Sequence, residues 1–348
     1  MVRNLLWASL VLAPVTIAVD KLTSAGDVAL FVLAAMSLIP LAWLIGESTE
    51  QAAEHTGQGI GAFLNASFGN APELIVALFA VGANLPVVVR GSLSGSVISN
   101  LLLVFGLTQV VGPDGARIDR RSLLTQLALV GAAVVLFAVP TAIGYTGEPE
   151  RHAVVVASVP VAIVLLLLYL VATRRILQRH REREQKRDGP SESAWSLRAA
   201  LVALGIATAA TAWVSEILVH SLHAFAKAVG LSEFFISIVI VAIVGNAAEH
   251  GGAIVIAHRG KMRLASEIAI SSSAQVALLV VPVVTLLGLL FTHQLALAFR
   301  WSELVAMGGA AAVVAATVWD GRLRRWEGAL LVVAYLAAVL GFLLGGGR

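Results

Sequence analysis

AFLNASFGNAPELIVALFAV, residues 62–81, is long enough to cross a bilayer, yet it is broken in its middle by Gly69, Asn70, Pro72 and the carboxylate of Glu73. FFISIVIVAIVGNAAEHGGAIVIA, residues 234–257, repeats the pattern. Gly69/Gly245, Asn70/Asn246, Ala71/Ala247 and Glu73/Glu249 superpose with one offset of 176 residues. A charged side chain at membrane depth costs a few kcal/mol even on the gentler insertion scales, and is by default a functional-site hypothesis. Two in matching frames make that default much stronger.

Around these two stretches, the chain is 58% hydrophobic and only 13% charged over 348 residues. Apolar runs delimit eleven candidate spans: 4–19, 27–46, 60–83, 91–111, 122–143, 152–173, 197–222, 233–257, 266–290, 300–319 and 327–345. Each approaches the roughly 20 residues that a transmembrane helix needs, and the runs lack the alternation of barrel strands. The expected class is therefore an all-α polytopic membrane protein. Cysteine is absent, which excludes disulfides and thiolate metal sites. The basic start followed by an apolar run resembles a signal peptide, but no convincing small-residue cleavage site precedes Asp20, so a retained first helix is expected.

Of the 24 Lys and Arg, 18 fall in the N-terminal tail and the loops after even-numbered spans, and 6 on the opposite side. The positive-inside rule then puts the N-terminus in the cytoplasm and the C-terminus outside. The basic residues serve topology, so the high pI is no sign of nucleic acid. One hydrophilic linker, residues 174–196, divides a first half (27–173, after a leading helix and loop over 1–26) from a second (197–348). Spans 2–6 precede it and spans 7–11 follow; five is odd, so the second half must insert upside down. Inverted repeats with interrupted helices at corresponding places point to a secondary transporter with its site at the repeat interface.

Asn and Glu three apart on a helix share a face, so Asn70 with Glu73, and Asn246 with Glu249, each offer an amide and a carboxylate. Gly69 and Pro72 weaken the helix there and free backbone oxygens, which survive in hydrocarbon only against protein or a wet cavity. A hard divalent cation takes six to eight oxygens from carboxylates, amides and carbonyls, and two glutamates balance one Ca²⁺. The plainer reading makes both glutamates protonated structural acids, and must explain why two stand in register, each beside a Gly-Asn break. In the following spans Ser96 and Ser99, together with Ser92, take a 4,3 spacing, and Ser272 and Gln275 stand 176 residues after Ser96 and Ser99. For any single serine helix packing explains as much; the paired placement favours a cavity lining. Glu50 and Glu216 are candidates for the access paths, with solvated interfacial charge the equal alternative. His250 stands beside Glu249 as a proton carrier or merely its hydrogen-bond partner.

GNAPELIVAL with GSLSGSVISNLLLVFG, and GNAAEHGGAIVIAHRGKM with SSSAQVALLVVP, resemble the two signature repeats of the Ca²⁺/H⁺ antiporters, the CAX branch of the cation/Ca²⁺ exchanger superfamily. The similarity spans roughly residues 45–111 and 213–283 in particular, within the eleven-span plan. The resemblance implies Glu73 and Glu249 as central Ca²⁺ and proton ligands. It implies Asn70, Asn246, Ser96, Ser99, Ser272 and Gln275 as the rest of the site, and Glu50 and Glu216 on the access paths. One departure is the linker, net basic where many relatives carry an acidic helix, so a Ca²⁺-sensing role for it is not implied.

The expected activity is exchange of cytoplasmic Ca²⁺ for protons by alternating access, without cofactor or enzymatic step, in a prokaryotic inner membrane. The implied partners are Ca²⁺, protons and lipid, not nucleic acid, with homo-oligomerisation left open. An exchanger using Na⁺ or K⁺, or carrying another divalent, shares almost every feature. A channel is a more distant rival, and an intramembrane metalloprotease lacks its HExxH.

Overall fold

Runs of apolar residues with few helix breakers leave the chain one way to satisfy its backbone in lipid, and helices carry nearly all of it. In the computed structural model the backbone is described for residues 2–144, 150–181 and 195–345, and side chains there except 2–3, 57–63, 65–67 and 175–181. The helices are α1 (Asn4–Leu22, with a turn at residues 10–11), α2 (Asp27–Phe68), α3 (Ala71–Gly82), α4 (Pro86–Val111), α5 (Arg120–Gly144) and α6 (His152–Arg181). After the linker come α7 (Leu197–Val229), α8 (Glu233–Gly245), α9 (Ala247–His258), α10 (Met262–Gly288), α11 (Trp301–Thr317) and α12 (Arg325–Gly345). The only extended pairing among the described residues is a two-residue antiparallel ladder, β1 (Ala116–Arg117) with β2 (Arg322–Leu323).

Among the described residues eight helices are long and apolar enough to cross a membrane, or nine if the bent pair α8 and α9 is one span. The runs expected at 60–83 and 300–319 appear instead as shorter apolar helices, Ala71–Gly82 and Trp301–Thr317. Spans 2 and 3 need correction. No loop separates 27–46 from 60–83, because helical hydrogen bonding runs unbroken over 42 residues to Phe68. Ile45 of α2 and Ala71 of α3 both belong to one apolar cluster with Leu44, Leu204 and Ala207. The basic linker is also shorter than expected at its start, since α6 continues to Arg181; residues 182–194 lie outside the described set.

Helices at corresponding places in the two halves pack antiparallel. Phe31 of α2 stacks on Phe225 of α7 at 4.2 Å, while Ile45 lies near Leu204 and Ala207, so one helix rises as the other falls. In α4 and α10 the hydroxyl of Ser273 donates to the carbonyl of Val97, its own counterpart at the 176-residue offset, while Gly112 just past the end of α4 lies against Met262 at the start of α10, so these two helices also run in opposite directions. Both of these helices contain a widened π turn, Ser99–Val104 and Val276–Val280. A third lies in α8 at Ile236–Val241. There α4 comes so close that a Cβ on Gly95 would overlap the carbonyl oxygen of Ile238. Close backbone approach at glycine is a common way for helices to pack where hydrocarbon gives them no hydrophobic drive.

Among the described residues the one long irregular segment is 289–300; residues 290–294 are exposed, and Leu295 to Phe299 are buried in protein. Its backbone is satisfied from neighbouring helices and loops. Glu150 accepts from the N–H of Ala296 at 2.9 Å, Ser158 from that of Leu297 at 2.9 Å, and Arg90 donates to the carbonyl of Ala296 at 3.2 Å while ion-pairing with Glu150. Irregular backbone at depth is tolerated only with such partners.

Candidate functional site

Both breaks have the same local form. Asn70 sits at φ −98°, ψ 16° and Asn246 at φ −95°, ψ 7°, each outside helical geometry and each starting a new helix at the following alanine. Pro72 thus occupies the first turn of α3, where its missing N–H is no loss. The expectation that Asn and Glu share one uninterrupted helical face is corrected accordingly: the amides stand at the breaks, and Glu73 and Glu249 in the first turns beyond them. Between α8 and α9 the chain bends by 59°.

The two halves then bond across to one another. The amide of Asn70 donates to Gln275 Oε1 at 2.7 Å, and that of Asn246 to Ser96 Oγ at 2.7 Å and to its own chain's Ala242 carbonyl at 2.9 Å. Ser272 donates its hydroxyl to Glu249. Asn100 bridges the set through its amide, at 3.3 Å from Asn246 Oδ1 and 3.0 Å from Ser272 Oγ. Gly245 leaves room for Glu73, whose Cγ lies 3.6 Å from where a Cβ would stand.

Glu73 is 6% exposed, and neither of its oxygens has a hydrogen-bond partner. It borders a cavity of about 10 Å³ with Val76, Ser92, Leu93, Ser96, Val241 and Gly245, room for about one water. Asn100 Oδ1 is likewise buried and unpartnered. Three buried oxygens without donors are costly in a low-dielectric interior, and a water, a proton or a cation would relieve that cost. Among the described residues no group of three or more His, Cys, Asp or Glu gathers, so further donors at this place are neutral amides, hydroxyls and carbonyls.

Of the residues expected from the sequence, Glu73, Glu249, Asn70, Asn246, Ser96, Ser272 and Gln275 come together. Ser99 does not join them: it is buried, but its hydroxyl turns back to the carbonyl of Ser96 at 3.2 Å. Glu50 and Glu216 are exposed on α2 and α7 and make no hydrogen bond to the set, and His250 is buried with Nε2 unpartnered. Asn100 was missed. An amide in the run LLLVF was visible as an oddity, but its counterpart at the 176-residue offset is Val276, so a search for pairs passes over it.

The chain matches the family model described as sodium/calcium exchanger protein over residues 27–177 and 199–344. It is 38% identical over 328 residues to the Ca²⁺/H⁺ antiporter ChaA of Bacillus subtilis, covering 90% of this chain and 92% of that one. Against the Ca²⁺/H⁺ antiporter of Aphanothece halophytica it is 33% identical over 338 residues, covering 91% and 90%. Among solved structures, native YfkE superposes with a TM-score of 0.82 at 34% identity, covering 98% of both chains. With both halves inside the family model and these relatives matched along nearly their whole length, the chain belongs to the sodium/calcium exchanger family, in its Ca²⁺/H⁺ antiporter branch, as an integral membrane transporter and not an enzyme.

Proposed function

We propose that this protein exchanges cytoplasmic Ca²⁺ for protons at a single site about halfway across the membrane. The observation that supports the reading is the cross-bonding of two broken helices from opposite halves: Asn70 beside Glu73 donates to Gln275, Asn246 donates to Ser96, and Glu249 accepts from Ser272. Ca²⁺ is the cargo, held by the two carboxylates with oxygens from Asn70, Asn246, Asn100, Ser96, Ser272 and Gln275 as they turn toward it. Only two formal charges and several neutral donors make a site that binds without trapping, since Ca²⁺ affinity follows ligand charge and rigidity.

Coupling needs no further part. When Ca²⁺ leaves, two neighbouring carboxylates in a poorly solvated cavity repel each other, and proton binding relieves that cost. The same oxygens cannot hold both ligands, so each expels the other. The pair titrates as a unit. His250 and the exposed Glu50 and Glu216 are assigned to proton and cation access at the edges of this path.

Alternating access follows from eleven spans arranged as a first helix and two inverted five-helix repeats, with the N-terminus in the cytoplasm and the C-terminus outside. The antiparallel packing of α2 on α7 and of α4 on α10 supports the inversion, and the short helices α3 and α11 complete the count if α3 with the end of α2, and α11 alone, each cross. Movement of one bundle against the other about the fixed site then opens it to one side at a time.

Purified protein in vesicles, given Ca²⁺ under imposed pH and Na⁺ gradients, tests the assignment. Ca²⁺ uptake should follow the pH gradient, be indifferent to Na⁺, and vanish in Glu73→Gln and in Glu249→Gln. Near-wild-type transport in both variants refutes the site. The family description favours a second reading, Na⁺ as counter-ion, and uptake driven by Na⁺ at clamped pH would establish it.

A further inference from the structure

Away from the transport site, the turns joining α4 to α5 and α11 to α12 are tied by the β1–β2 ladder, whose register sets Arg117 directly opposite Arg322. Side chains directly opposite in an antiparallel pair lie on one face about 5 Å apart, and like charges there are destabilising. Both arginines are exposed, and neither has a side-chain ion pair among the described residues. The nearby acids are spoken for. Asp114 accepts from the backbone N–H of Arg325, Asp119 pairs with Arg263, and Glu327 pairs with Arg324. Asp320 accepts the backbone N–H of Arg322 at 3.0 Å and ion-pairs with Arg324 at 2.5 Å. Those contacts hold its carboxyl below the usual carboxylate range, the Arg322 N–H first and Arg324 after it. Its charge faces Arg322 but is already shared.

A third arginine adds to the excess. Arg120 lies over the ring of Trp319, 4.5 Å from its centroid. Trp319 and Trp326 are 62% and 60% exposed, at the points where α11 ends and α12 begins. Exposed tryptophan at the end of an apolar helix belongs at the headgroup level of a bilayer. The arginine pair therefore stands beside the lipid headgroups, not out in bulk water.

We propose that Arg117 and Arg322, with the Arg120–Trp319 stack beside them, bind the phosphate of an anionic phospholipid in the leaflet at this end of the molecule. A phosphate between two guanidinium forks turns a repulsive pair into an attractive triad with bidentate geometry. The negative leaflet supplies the anion at high local concentration. The indole of Trp319 sets the glycerol level.

Native mass spectrometry of the full chain, with added phosphatidylglycerol or phosphatidylcholine, tests this. Three forms are compared: wild type, R117Q/R322Q, and R121Q/R259Q, which removes equal charge from exposed positions at the start of α5 and in the turn between α9 and α10. Phosphatidylglycerol should be retained by wild type and the control and weakened on the order of tenfold in R117Q/R322Q, while phosphatidylcholine binds all three alike. R117K/R322K, which keeps charge but loses the fork, should fall between. Equal loss in both glutamine variants overturns the proposal in favour of general basicity, and no loss in either removes the site altogether. Displacement of the lipid by millimolar inorganic phosphate would mean a soluble-anion site instead. None of these readouts depends on transport.

Discussion

The two breaks share a sequence and a backbone conformation but not an environment. In the first half Glu73 is buried with both oxygens unpartnered, and Asn70 reaches across to Gln275. In the second, Glu249 is less buried and takes a hydroxyl from Ser272, while Asn246 is held by Ser96 and Asn100. The repeated motif therefore presents two acids that differ in exposure and in hydrogen bonding.

Removing one charge at a time tests the difference between the halves most directly. Glu73→Gln and Glu249→Gln should each lower Ca²⁺-dependent proton flux in vesicles by more than about a hundredfold, about 3 kcal/mol, since each removes one of only two formal charges offered to a divalent cation. A variant retaining flux would identify its glutamate as merely structural. Next in size is Gly95→Val. With the Ile238 carbonyl already where the Cβ would go, overpacking of about 1–3 kcal/mol should lower the melting temperature in detergent and cut flux with it. The change touches neither glutamate, so loss of flux without loss of stability would contradict the packing account.

Smaller effects bear on the same contrast. Asn100→Val copies the residue that the second half carries at the equivalent place, Val276. It strips donors from Asn246 and Ser272, and a loss of about 1–2 kcal/mol should appear as a five- to thirtyfold weaker apparent Ca²⁺ affinity with the fold intact. Ser272→Ala should exceed Ser96→Ala, because a hydrogen bond to a carboxylate outweighs one between neutral groups; isothermal titration of Ca²⁺ would rank them. Finally, apparent Ca²⁺ affinity should rise with pH, since the carboxylates shed protons to bind the cation. In Glu73→Gln the residual dependence should be shallower, because one titrating group is gone.

Much of the site is legible in the sequence for a definite reason. A carboxylate inside an apolar run is so unfavourable that its presence is information, and its recurrence at a fixed offset supplies the second helix without any structure. The polar partners are less legible. The 4,3 spacing of Ser92, Ser96 and Ser99 assumes a regular helix, but a π turn begins at Ser99 and rotates the residues beyond it. Ser99 then bonds its own helix while Asn100 takes the place facing the site. Nor could spacing show that α2 runs on to Phe68, since helical hydrogen bonding through a polar stretch such as 47–59 leaves no apolar period to read.

The amino-acid order alone determined that this chain lives in a membrane, that its two halves repeat, and that two acids sit at the breaks, because each is a matter of transfer cost and periodicity along the chain. Which donors meet which acid, that Glu73 is left without a partner and Glu249 is not, and that two arginines face each other across a two-residue ladder were decided only by tertiary structure. Those are facts about where distant segments approach one another, and a linear pattern carries no record of where helices cross.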